Sequence, residues 1–105
     1  MNKEDFIHNA SSGRGAGPVD PEELIKLVSQ PEMSAYWVTR LEAHERRGER
    51  DIVDLDFAVI GLDGPENWES HHDFHRHDRL VMRKVEAARD SDRSIEFRVW
   101  IERRN

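Results

Sequence analysis

Ile95, Phe97, Val99 and Ile101 alternate with Glu96, Arg98, Trp100 and Glu102. A period of two held over eight residues describes a strand with one buried and one wetter face. Val53, Leu55, Phe57 and Val59 repeat the pattern against Asp54, Asp56 and Ala58. Two half-apolar strands require a covering layer, and the region before them supplies helical signals. Asp20-Pro21-Glu22-Glu23 reads as a helix start, with Asp20 as N-cap, Pro21 in the first turn and Glu23 placed to close a capping box. Leu24, Ile25, Leu27 and Val28 follow at helical spacing. Pro31 breaks that helix, and a second one is expected from Pro31 through Met33, Tyr36, Trp37, Leu41 and His44 to a stop at Gly48.

The segment from Arg79 to Arg89 contains good helix formers, but folding it back on Ser94 to Arg103 gives a coherent hairpin register. Val85 then faces Val99, Ala87 faces Phe97, Glu86 meets Arg98 and Lys84 meets Trp100. A third strand also answers the weakness of a two-stranded sheet. The expected fold class is therefore α+β, with two N-terminal helices packed on a small, mainly antiparallel three-stranded sheet that ends in a β-hairpin. Residues 1–19 include Ser11-Ser-Gly-Arg-Gly-Ala-Gly-Pro18 and are expected to form a flexible N-terminal segment, leaving 20–105 as a single domain. The glycine-rich run has neither a preceding apolar strand nor the Gly-Lys-Ser/Thr of a phosphate loop.

The absence of cysteine removes disulfides, thiolate nucleophiles and Cys-based zinc sites together. A formal charge of −6 argues against nucleic acid bound through a broad basic face. The six histidines would cancel that charge if all were protonated, so self-association in mild acid is expected. The opening Met-Asn-Lys-Glu-Asp lacks an apolar leader core, and no stretch approaches the roughly 20 apolar residues of a membrane span, so a cytoplasmic protein is expected.

Four histidines, His71, His72, His75 and His77, crowd the connection that precedes Arg79. On a helix, His71 and His75 share a face with Asp78 one turn on, a set able to hold Zn²⁺ or Ni²⁺; in extended chain His75 and His77 point the same way. The Glu of a His-Glu-x-x-His protease is missing, so hydrolytic zinc chemistry has no base. The plainer reading is a solvated polar connection paired by Asp73 and Asp78.

Trp100 falls on the charged face of its strand beside Arg98 and Glu102, which together form a candidate partner-binding surface with an aromatic anchor and a polar rim. Asp54 and Asp56 read as the solvent face of their strand, and His44 as a residue complementing a helix C-terminus. No nucleophile, phosphate loop or matched acid–base pair is evident. The expected function is thus a small acidic, non-catalytic binding or regulatory protein that engages another protein, with homo-oligomer formation through a free sheet edge or the Trp100 face. The alternative is a metal-binding protein or small enzyme using His71, His72, His75 and His77. A third reading is an acidic inhibitor imitating nucleic acid, diluted by 16 interspersed basic residues.

Overall fold

The computed structural model describes residues 1–59 and 74–104, without the side chains of 74–77. Its elements run α1 (Lys3–Ala10), β1 (Ala16–Val19), α2 (Pro21–Val28), a 3-10 turn (Pro31–Ala35), β2 (Tyr36–Arg47), β3 (Arg50–Val59), α3 (Phe74–Asp90) and β4 (Ile95–Arg103). The four strands form one antiparallel sheet in the order β1-β4-β2-β3, so β4 and β2 are central and β1 and β3 are the edges. The α+β class stands as expected, both expected strands are present although only β4 keeps its expected facing, and the capped start of α2 stands too, where the Asp20 carboxylate accepts from the Glu23 amide at 2.8 Å. The Glu23 side chain does not close a capping box. It pairs with the N-terminal ammonium of Met1 at 2.7 Å.

One apolar cluster fills the space between the three helices and one face of the sheet. Phe6 and Ala10 of α1, Leu24 and Leu27 of α2 and Val81, Val85 and Ala88 of α3 meet Leu41, Ala43, Ile95, Phe97, Val99 and Ile101. The alternation of β4 is fulfilled to the residue, since Ile95, Phe97, Val99 and Ile101 are all buried while Glu96, Arg98 and Trp100 are half-buried on the other face.

Four expectations need correction. Residues 31–48 do not form a second helix: after the 3-10 turn the chain becomes β2, the longest strand. Leu, Ala, Glu and Arg suit helices, but β2 is paired on both sides, with β3 and β4, and this pairing overrides local propensity. Residues 79–89 are not a strand. They belong to α3, whose buried Val81, Val85 and Ala88 recur at helical spacing. Val85 therefore does not pair with Val99, nor Lys84 with Trp100; the Lys84 ammonium instead donates to the Asp56 carbonyl at 2.5 Å. Residues 1–19 supply α1 and β1, with Phe6, Ala10, Ala16 and Val19 in the core. The sheet accordingly has four strands, and its tight hairpin joins β2 to β3. The Asp63-Gly64-Pro65 turn and the helix start at Pro65 lie outside the described residues.

Candidate functional site

The feature of the molecule least accounted for by folding is the outer part of β3. Near the hairpin, Arg47 pairs with Arg50, His44 with Val53 and Ala43 with Asp54; beyond that the register shifts, and Leu41 pairs with Val59. The extra residues are accommodated in β3, and they reverse which alternate set faces the helices. Val59 is buried beyond the irregularity, whereas before it Asp54 points inward at 7% exposure. Val53 and Leu55 consequently point outward, 60% and 68% exposed. The expectation that Asp54 and Asp56 form the solvent face opposite buried Val53 and Leu55 is corrected for Asp54, which is inward, and for Val53 and Leu55, which are outward; Asp56 is exposed.

The inward Asp54 belongs to an ionic cluster at the hairpin end of the sheet. The Arg93 guanidinium, on the turn between α3 and β4, donates to Glu45 at 2.6 and 3.0 Å and also to Asp54, and lies 5.3 Å from the centroid of the Phe57 ring. Asp54 Oδ1 further accepts from the amides of Asp56 at 2.8 Å and Phe57 at 3.3 Å, fixing the chain where the register shifts. Hydrogen bonds from Arg93, then from Arg47, hold the Glu45 carboxyl down at about 2. Its hydrogen bond to Glu45 first, and then that to Asp54, pushes the Arg93 guanidinium upward. Because the folded value of Glu45 lies below its ordinary 4.5, its stabilising contribution is complete above that ordinary value and is lost as pH falls through about 2. Thermal denaturation followed from pH 5 to pH 2 is therefore expected to show a falling midpoint, with a shallower fall in Glu45→Gln; an unchanged slope in that variant would separate Glu45 from the acid response. All the carboxylates here are engaged by arginine, which makes the cluster a brace rather than a reactive centre.

Trp100 lies on the outer face of the sheet, as alternation requires, but the chain covers it. Its indole Nε1 donates to the Gly13 carbonyl at 3.1 Å, and the Arg40 guanidinium sits 4.8 Å from its ring centroid. A Cβ on Gly15 would lie 2.7 Å from the indole, at a φ of +71° that itself favours glycine. Arg98 reaches the same loop, donating to Arg14 at 3.0 Å and Gly17 at 3.4 Å. Of the three residues proposed for partner binding, Trp100 and Arg98 thus hold the glycine-rich segment, and Glu102 is exposed.

His44 lies in β2 on the outer face and not at a helix end. Its Nε2 is 3.6 Å from Glu42 and its Nδ1 is 3.5 Å from Asp51, with Val53 and Glu96 as its strand partners. His71 and His72 lie outside the described residues. His75 and His77 fall in the first turn of α3, a region whose backbone alone is described. Asp78, the carboxylate of the proposed ligand set, accepts from Arg104. Among the described residues no three His, Asp or Glu side chains converge as a metal-binding group. An open groove on the exposed side of α3 is lined by Arg79, Met82, Arg83 and Glu86, none of them a nucleophile.

Two features escaped sequence reasoning. The Arg93 cluster joins residues from three separated segments and leaves no local trace. The outward face of Val53 and Leu55 depends on the register shift, and its only signal was the placement of three aspartates among the apolar residues of β3. No family model matches the chain, and no curated protein or solved structure matches it.

Proposed function

We propose that this chain is a small acidic, non-catalytic binding protein that engages another protein through β3. The observation carrying this reading is the pair Val53 and Leu55, large, apolar and more than half exposed on an edge strand. An edge strand presents backbone donors and acceptors to a partner, and alternate side chains give that pairing its selectivity. Among the described residues no strand occupies the outer side of β3. Glu49, Arg50, Asp51 and Asp56 surround the apolar pair with exposed charge, the arrangement of an apolar centre within a polar rim. The covered state of Trp100 moves the expected contact surface from that residue to β3.

The test is affinity capture from the native host with the wild-type chain and a Val53→Asp/Leu55→Asp variant in parallel, followed by binding of the purified captured protein to each. Both positions are solvent-exposed, so the variant is expected to keep its melting temperature. Its affinity should fall at least about tenfold, the scale of losing an interface anchor. Equal affinity for both chains would overturn the assignment.

A further inference from the structure

We infer that β3 exchanges between two registers against β2, and that the exchange displays or withdraws the apolar pair Val53 and Leu55. The exchange stands on the pairing of β2 with β3; only its consequence for binding rests on the reading of β3 as the contact strand.

Between the pair Leu41 and Val59 and the pair Ala43 and Asp54, β2 advances two residues and β3 five, so three residues of β3 are surplus at the irregularity. Three is an odd number, and the facing of the strand therefore reverses there, with Asp54 inward and Val53 and Leu55 outward. Carrying the register of Leu41 and Val59 on toward the hairpin removes the surplus. Ala43 then pairs with Phe57, Glu45 with Leu55 and Arg47 with Val53. In that register Val53, Leu55, Phe57 and Val59 all share the face of the buried Leu41 and Ala43. On the outer face Arg46 comes opposite Asp54 and His44 opposite Asp56, each a basic side chain against a carboxylate. The surplus passes into the turn, which grows from Gly48 and Glu49 to residues 48–52, and hairpins use loops of both lengths. Val59 keeps its partner, so only residues 48–58 take part.

Each register has what the other lacks. The observed one leaves Val53 and Leu55 60% and 68% exposed and holds the Asp54 carboxylate inward at 7%. Asp54 is its latch, accepting from Arg93 and from the amides of Asp56 at 2.8 Å and Phe57 at 3.3 Å. The second register gives up those bonds and turns the apolar pair to the helix side. Glu45 keeps Arg93 in both, because neither residue lies on β3. Apolar burial opposed by charged hydrogen bonds is the balance a two-state element needs, and a partner that contacts the outward Val53 and Leu55 draws it to the observed register.

The chain has no cysteine, so paired substitutions report each register by an intramolecular disulfide. Arg46→Cys/Asp51→Cys bridges the observed register, in which these residues are partners, and His44→Cys/Asp56→Cys bridges the second. Antiparallel partners stand about 4.5–5.5 Å apart at Cα, within the span of a disulfide. His44 now faces Val53, and Arg50 and Asp56 lie three residues to either side of it, roughly 10 Å along the strand. His44→Cys/Arg50→Cys is therefore the control for mere fraying. In a glutathione redox buffer the 46–51 pair should close almost completely, and the 44–56 pair at least about fivefold more than the control. Asp54→Ala, which removes the latch, should raise 44–56 closure about fivefold again. Leu55→Asp, which sets a charge inward only in the second register, should return it to the control level. Closure of 44–56 no greater than the control with Asp54 in place, or closure indifferent to Leu55→Asp, overturns the inference, and neither result depends on Asp54→Ala folding. Both bridges leave Val53 and Leu55 intact, so binding of the captured protein judges the contact strand separately. Binding by the 46–51 form alone supports β3; equal binding by both forms removes β3 as the contact strand and leaves the register exchange standing.

Discussion

Replacing Phe6 with alanine is expected to destabilise the protein by about 3–5 kcal/mol, the cost of removing a buried phenylalanine and leaving its space unfilled. Phe6 is fully buried and, with Ala10, seals the end of the core against β1 and β4. A domain of this size holds only about 5–15 kcal/mol in total, so the midpoint of thermal unfolding should fall by roughly 15 °C or more. Circular dichroism melts of the wild type and Phe6→Ala decide the point. A shift of only a degree or two would mean that residues 1–19 are the detachable lead suggested by their glycines.

Those first residues show why a composition argument fails in this chain. Phe6 and Ala10 lie four apart, and Asn2 caps the helix by accepting from the Asp5 amide at 2.8 Å, so a helix signal was present. It was masked by three glycines between Ser11 and Pro18, of which Gly15 and Gly17 serve close approach to the sheet. A Cβ at Gly17 would stand 2.6 Å from the Phe97 carbonyl oxygen and 3.0 Å from the Arg98 Cα. Both are backbone atoms of a central strand and have little room to yield. Gly17→Ala is expected to cost about 1–3 kcal/mol, the range for overfilling a packed site. The indole held between Gly15 and Arg40 gives a local reading of the same event. Equilibrium denaturation, with tryptophan fluorescence as a second signal, measures it; a variant with wild-type stability and fluorescence would show that β1 is not seated against β4.

The strands were legible where their period is unbroken and obscure where it is not. β4 keeps strict alternation and was readable in both identity and facing. In β2 the register shifts between Val38 and Arg40, so the buried Val38 and Leu41 stand three apart, a helical spacing that concealed a strand made of helix-forming residues. β3 was recognisable as a strand, but the shift between Leu41 and Ala43 of its partner turned Val53 and Leu55 outward. In α3 the spacing of Val81, Val85 and Ala88 favoured a helix, and an attractive cross-strand register argued wrongly against it. The candidate site is legible only in part for the same reason: the residues of β3 were visible, and their facing was set by tertiary pairing.

Binding through β3 is read most directly in the amide hydrogen exchange of Asp51, Val53 and Leu55, measured at low and high protein concentration and with any captured partner. Addition of a strand to β3 would protect these outward amides while leaving Ile52, already directed toward β2, little changed. Val53 exchange is expected to slow at least about tenfold when β3 is occupied. Exchange at Val53 that stays equally fast at every concentration and in every complex would contradict it.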